Sequence, residues 1–162
     1  MGGYLNKILR VNLSTKELST EELNWETAVA FIGGRGYGAK ILYDELPPGI
    51  DPLGPQNKLI FMTGPLTGTA APTSGRFSVS TKSPATGTIL DANSGGYFGL
   101  ELKRAGYDGI IFEGRSETPV YLSILHGKAE LHNATSLWGL DVFETEDRLK
   151  KMVRTRWRGS HA

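Results

Sequence analysis

The sequence predicts an α+β domain, rich in strands, with short helices inserted between them. Three observations carry that expectation. Short runs of β type recur along the chain, from Lys7–Leu13 to Ala129–His132. Segments with helical spacing fall between those runs. Most of the 21 glycines, and most of the prolines, lie between Gly33 and Gly114, which predicts many tight loops in the middle of the chain.

Lys7–Leu13 alternates Ile8, Arg10 and Asn12 against Lys7, Leu9, Val11 and Leu13, the pattern of a strand with one wet face. Ser14-Thr15-Lys16 reads as a turn, and Glu17–Leu23 returns as a second strand. Trp25–Ile32 carries Trp25, Ala28, Val29 and Ile32 at helical spacing, with Asn24 as N-cap; Gly33, Gly34 and Gly36 then break it. A second short helix, Ala39–Leu46, ends at Pro47-Pro48. Leu59–Thr63 is a continuous apolar run of strand length. Arg76–Thr81 alternates, with Phe77 and Val79 on one face and Arg76, Ser78 and Ser80 on the other. Gly96–Arg104 predicts a helix stopped by Gly106. Ile110–Glu113 and Val120–Leu125 are strands, and Ala129–His132 completes a hairpin across His126-Gly127. The last helix starts at Asp141, with Glu144 as its capping-box partner, and runs to about Met152. Phe61, Val79, Ile110, Ile111, Val120 and Tyr121 are core candidates.

The 162 residues suffice for one core. A hydrophobic content of 39% with 22% charged residues is that of an ordinary globular protein. A net charge of +1 gives no electrostatic reason for a nucleic-acid partner, and no apolar run approaches the ~20 residues of a membrane span. The N-terminus lacks a signal-peptide core, so a cytoplasmic location is expected. There is no cysteine. This chain alone therefore forms no disulfide, has no thiolate nucleophile and cannot ligate an iron–sulfur cluster through thiolates. His126, His132 and His161 lack the spacing of metal ligands.

Three glycine-bearing loops are the candidate chemistry. Gly33-Gly34-Arg35-Gly36-Tyr37-Gly38-Ala39-Lys40 fits neither the dinucleotide nor the P-loop pattern. It reads either as a tight turn or as backbone amides and Arg35 facing an anion. Gly64–Arg76 (GPLTGTAAPTSGR) combines small hydroxyl residues with glycines and prolines, and it ends on an arginine able to fork onto phosphate. Arg76 is otherwise a surface residue at a strand edge. In Asn93-Ser94-Gly95-Gly96-Tyr97-Phe98-Gly99, a glycine pair at a helix start would present free N–H groups to an anion. Asn93 would cap that helix or offer oxygen to a hard cation such as magnesium. No general acid–base pair stands out, and Glu101, Asp108 and Glu113 read as solvated or structural.

In this order the segments GGRGYGAKILYDEL (33–46), DPLGPQNKLIFMTGPLTGT (51–69), APTSGR (71–76), TKSPATG (81–87) and NSGGYFGLELKRAGYDGIIFE (93–113) resemble the N-terminal domain of the tungsten-containing aldehyde ferredoxin oxidoreductases. The RVNLST run at residues 10–15 does so too, and the resemblance extends from about residue 4 to about residue 150. It implies oxidation of aldehydes to carboxylic acids with electrons passed to ferredoxin. It also implies a tungsten or molybdenum ion held by two pterins, with magnesium bridging their phosphates. By the same resemblance Arg76 lies against the pterin phosphates, Asn93 offers its backbone carbonyl to the magnesium, and Gly95 and Gly96 approach the cofactor through their backbone. A role for Lys82 or Arg35 is a weaker implication.

The family's 4Fe-4S cysteines, the second half of its pterin site and its catalytic domains have no counterpart here. The domain is expected to occupy residues 1–152, and the tail Val153–Ala162 does not resemble the family's continuation. The missing domains are either lost from a truncated product or carried on another chain of a split enzyme, and the complete enzyme would be a homo-oligomer. A stand-alone non-catalytic pterin-binding module and an inactive remnant stay open as alternatives. In each case the isolated chain is expected to be marginally stable, with bare sheet edges, and to bind cofactor weakly.

Overall fold

The computed structural model describes residues 3–125 and 127–159. Eight strands and four helices follow in order: β1 Ile8–Asn12, β2 Leu18–Glu21, α1 Trp25–Phe31, α2 Gly34–Glu45, β3 Lys58–Thr63, β4 Phe77–Lys82, β5 Ile89–Ser94, α3 Phe98–Arg104, β6 Gly109–Glu113, β7 Val120–Leu125, β8 Lys128–Asn133 and α4 Val142–Gly159. The α+β class holds. Six strands form one sheet in the order β2-β1-β6-β3-β4-β5, and β7 and β8 form a separate two-stranded hairpin. Only β1 and β6 run parallel; every other pair in the larger sheet is antiparallel. The hairpin turn joins these strands at Gly127, while His126 itself, like His161, lies outside the described residues.

The large sheet has a core on each face. On one side α1 and α2 cover it, and Ile8, Leu23, Ala28, Tyr37, Ile41, Leu42, Ile60, Met62 and Ile111 pack together. On the other, Leu9, Val11, Leu102, Tyr107 and Ile110 pack under α3 and the hairpin, with Leu122, Ile124 and Leu131 against them. Alternation along β1 therefore feeds two cores rather than one core and water. Of the expected core residues, Ile110 and Ile111 are buried; Phe61, Val79, Val120 and Tyr121 are half-buried.

Arg10, expected on a wet face, lies instead inside an ion network. Its guanidinium donates to Glu21 and to both carboxylate oxygens of Glu45, and it lies 3.7 Å from Glu113. Lys58 joins the network through Glu113 and, at 3.2 Å, through Glu45. The network ties β1, β2, α2, β3 and β6 together where α2 ends. Burial pushes the Glu45 carboxyl up, but the hydrogen bonds and charges of Arg10 and Lys58 outweigh it and hold the group below its usual range.

Asn24 caps α1 as expected, its Oδ1 accepting from Thr27 N at 2.8 Å. The next three glycines do not form an open break. Ile32 forms a tight γ-turn (φ 64°, ψ −65°), with Gly33 N donating to Phe31 O at 2.7 Å. α2 then begins at Gly34, inside the stretch expected to be loop. Gly34 opens the helix in the left-handed region (φ 51°), while Gly38 has a packing reason. A Cβ on Gly38 would lie 2.5 Å from Ser80 Oγ and 3.0 Å from Ser80 Cβ, and one on Gly34 would lie 3.3 Å from Ser78 Oγ. The hydroxyl face of β4 is thus a buried one: Ser78 and Ser80 lie beneath a helix whose nearest residues, Gly34 and Gly38, carry no side chain.

β5 was not expected from sequence, yet it pairs with β4 along six residues. Asp141 caps α4, accepting from Glu144 N at 2.8 Å. This helix runs past Met152 to Gly159, because no glycine or proline intervenes and Lys, Arg and Met favour helix.

Gly38→Ala should overpack the α2–β4 seam and lower stability by ~1–3 kcal/mol in urea unfolding. Gly38→Ala with Ser80→Gly should recover part of that loss; equal stability of Gly38→Ala and wild type would dismiss the seam. Glu45 has a depressed folded pKa, so its contribution is present above its unfolded pKa and is lost as pH falls through the folded one. Unfolding free energy measured from pH 7 downward should drop through and below the usual carboxylate range. Glu45→Gln should be less stable at pH 7 and show a shallower drop.

Candidate functional site

The site is built where β4 starts and β5 ends. The 64–76 loop leads into β4, and its shape is set by buried Thr67. Thr67 Oγ1 donates to the carbonyl of Arg76 at 3.0 Å and accepts from Gly64 N at 3.1 Å. Gly68 N donates to Ser74 O at 3.0 Å, and Thr73 occupies the left-handed region (φ 58°). The start of α3 locks against this loop: a Cβ on buried Gly99 would lie 3.0 Å from Thr67 Cγ2 and 3.1 Å from Gly75 O. Phe77 and Phe98 support it from the other core, with ring centroids 4.6 Å apart and Phe61 beside both.

On this base the exposed side chain of Arg76 reaches across to β5. Its Nη1 donates to Asn93 Oδ1 at 2.6 Å, and Asn93 Nδ2 lies 3.4 Å from Ser78 Oγ. The register puts Asn93 directly opposite Ser78. Gly95 and Gly96 follow in an open turn, with nothing within 4 Å of where a Cβ would stand. All four expected site residues therefore lie at one edge of the sheet.

One part of the expected geometry is corrected. Asn93 does not cap α3; it is the fifth residue of β5, and the helix begins at Phe98 after an N-cap, Tyr97, that makes no side-chain bond. The glycine pair belongs to the turn between strand and helix. Anion binding here would rest on the guanidinium and exposed backbone of that turn, since α3 has only seven residues. Lys82 is not brought to the site: it lies at the far end of β4 and donates to Ile50 O at 2.8 Å. Arg35 does come near, from the first turn of α2. Its Nε lies 3.7 Å from Asp91 Oδ2, on the same strand as Asn93. Sequence reading missed Thr67, Ser78 and Asp91, whose parts depend on contacts across the sheet.

Chemically the arrangement offers a guanidinium fork, unobstructed backbone and side-chain amide groups. That donor set suits phosphate oxygens, and backbone carbonyls of such a turn suit a hard cation. Among the described residues no group of three or more His, Asp or Glu side chains could hold a metal. No helix there is long and apolar enough to cross a membrane.

Residues 8–160 match the family described as "Aldehyde ferredoxin oxidoreductase, N-terminal domain". The chain belongs to that family. It is 55% identical, over 153 residues, to a tungsten-containing aldehyde ferredoxin oxidoreductase of Pyrococcus horikoshii, covering 94% of this chain and 25% of the relative. The corresponding Pyrococcus furiosus enzyme is 51% identical with the same coverage. A second P. furiosus protein, an aliphatic sulfonate oxidoreductase WOR-like subunit, is 39% identical over 156 residues, again covering 94% and 25%. Among solved structures, the active-site complex BamBC of benzoyl coenzyme A reductase with 1,5-dienoyl-CoA superposes with a TM-score of 0.92 at 38% identity. That match covers 94% of this chain and 23% of the other. The chain thus spans about a quarter of the length of the curated relatives it matches.

If Thr67 organises the Arg76 loop, Thr67→Val should remove both hydrogen bonds while keeping shape. A loss of ~1–3 kcal/mol in urea unfolding is expected, from the two groups left unpaired. An unchanged unfolding midpoint would deny Thr67 that part.

Proposed function

We propose that this chain is the cofactor-holding N-terminal part of an aldehyde:ferredoxin oxidoreductase. The observation that carries the reading is the Arg76–Asn93 pair beside the open Gly95-Gly96 turn, within a domain 51–55% identical to enzymes of that name. Identity falls to 38–39% for relatives named after a sulfonate or a coenzyme A thioester. The aldehyde enzymes are therefore the favoured comparison. The fold persists across all three groups, so what this domain supplies is common to them and substrate choice belongs elsewhere.

The group to be held is a tungsten bis-pterin, and the donor set fits it. The Arg76 guanidinium would take the pterin phosphates, Gly95 and Gly96 would let the cofactor approach the backbone, and the Asn93 carbonyl would meet a magnesium bridging the phosphates. Asn93 Oδ1 aims Arg76 by accepting one of its bonds, leaving the rest of the fork for the ligand. When bound, the group supplies the two-electron oxidation of an aldehyde to a carboxylic acid. With no cysteine in these residues, a 4Fe-4S cluster passing electrons to ferredoxin would take its thiolates from the parts of such an enzyme outside the matched quarter.

Complementation tests this. The chain would be co-expressed without oxygen, in tungstate medium, with the P. horikoshii enzyme lacking its matching N-terminal quarter. The purified complex should contain tungsten and pterin and reduce ferredoxin with aldehyde. Arg76→Gln should lower cofactor content at least tenfold. No complex, or equal cofactor content in wild type and Arg76→Gln, would sink the proposal.

A further inference from the structure

Arg35 is the charged group near the site that the reading above leaves without work. It stands in the first turn of α2, its side chain 77% exposed. Its guanidinium makes no hydrogen bond to the described protein; its nearest partner is Asp91 Oδ2, 3.7 Å from Nε. Asp91 is far less free. Its side chain is 15% exposed, and its Oδ1 lies 3.4 Å from the buried Ser80 hydroxyl.

Two parallel strings of contacts result. In one, Gly34 lies on Ser78, Ser78 meets Asn93, and Asn93 holds Arg76. In the other, Gly38 lies on Ser80, Ser80 meets Asp91, and Asp91 faces Arg35. Ser78 is paired with Asn93 and Ser80 with Asp91 across the β4–β5 ladder. Asp91 and Asn93 are two residues apart on one face of β5, hence roughly 7 Å apart. Asn93 therefore anchors Arg76 by a hydrogen bond, and Asp91 faces Arg35 at a neighbouring position on the same face. Both guanidinium groups keep most of their donors unused by the protein.

We infer that Arg35 is a second phosphate-binding arginine, acting with Arg76 on a diphosphate-type dianion, and that Asp91 is its positioning residue. This rests on the phosphate reading of the Arg76 site. Arg76 donates to the neutral Asn93, whereas Arg35 faces a carboxylate. A half-buried carboxylate beside an anion site would repel the ligand. Arg35 offsets that charge while its terminal nitrogens stay available, so the pair binds more strongly than either arginine alone.

Inorganic pyrophosphate is the probe, titrated by NMR into the full chain and its variants at low salt. Arg76→Gln and Arg35→Gln should each weaken binding about tenfold, and Arg35→Lys should restore part of the loss. Asp91→Asn should change affinity by less than Arg35→Gln while shifting the Arg35 Nε resonance, a readout that a merely structural residue would leave alone. Thermal unfolding matched to wild type confirms that exposed Arg35 is not needed for folding. If Arg76→Gln weakens binding and Arg35→Gln does not, this inference falls and the Arg76 site stands. If pyrophosphate does not bind, or neither variant changes its affinity, the phosphate reading of both falls.

Discussion

The seam between α2 and β4 is the constraint on which the rest of the structure depends. A helix normally stands off a sheet by the length of its side chains. Here Gly34 and Gly38 meet Ser78 and Ser80, and the helix lies almost directly on the strand. Glycine in a helix interior costs about 1 kcal/mol relative to alanine, so Gly38 needs a compensating contact, whereas Gly34 answers to its left-handed φ of 51°. That contact is the buried serine row. It fixes how far Arg35 stands from β5 and leaves Ser78 and Ser80 able to hold Asn93 and Asp91. At the other end of α2, Glu45 closes the arrangement by joining the Arg10 and Lys58 network. The helix is thus fixed by close packing at one end and by charge at the other.

Most of the fold was legible in the sequence, for a physical reason. The apolar runs Leu59–Thr63 and Val120–Leu125 have strand length, and the alternation along Lys7–Leu13 follows the sheet's two faces, because apolar side chains there pack on a core. The cap at Asn24 and the capping box at Asp141 were legible because one short side chain meets backbone groups two or three residues on. What failed was contact between distant small residues. Ser78 and Ser80 read only as the polar side of an alternating strand, and Gly33–Gly38 read as a loop because glycine usually breaks helices. Each is explained by the other, and no local pattern links residues forty positions apart. β5 was missed for a related cause: as an edge strand it is mostly exposed, so Ile89–Ser94 carries no alternation.

The candidate site shows the same division. Arg76, Asn93, Gly95 and Gly96 were picked out through family resemblance, and the geometry places them at one sheet edge. The assumed reason for the Asn93–Gly96 segment differs from the one observed. Asn93 serves as a cross-strand anchor, and the glycine pair forms a turn between β5 and α3. Resemblance can transfer positions without their mechanics. Thr67 shows the converse: nothing in its local sequence marks it, yet its hydroxyl bridges both ends of the loop that presents Arg76.

Why such a site forms at this edge follows from backbone accounting. Inside the sheet, β1, β3, β4 and β6 each have a neighbour on both sides, and their amides and carbonyls are committed. A ligand that is to meet backbone groups must do so where the ladder ends. β5 is the last strand of the sheet, and the chain leaves it through Gly95-Gly96 before α3 recaptures the backbone. That turn alone would be too loose to orient anything. It is held on one side by the loop fastened at Thr67 and on the other by β5, laddered to Ser78 and Ser80 of β4. The site therefore combines free backbone with a rigid support, and a single domain can offer both only at such an edge. Substrate selection needs enclosure instead, which an open edge does not provide. Relatives named for different substrates share this domain at 38–55% identity, as an open supporting edge with no enclosure of its own allows.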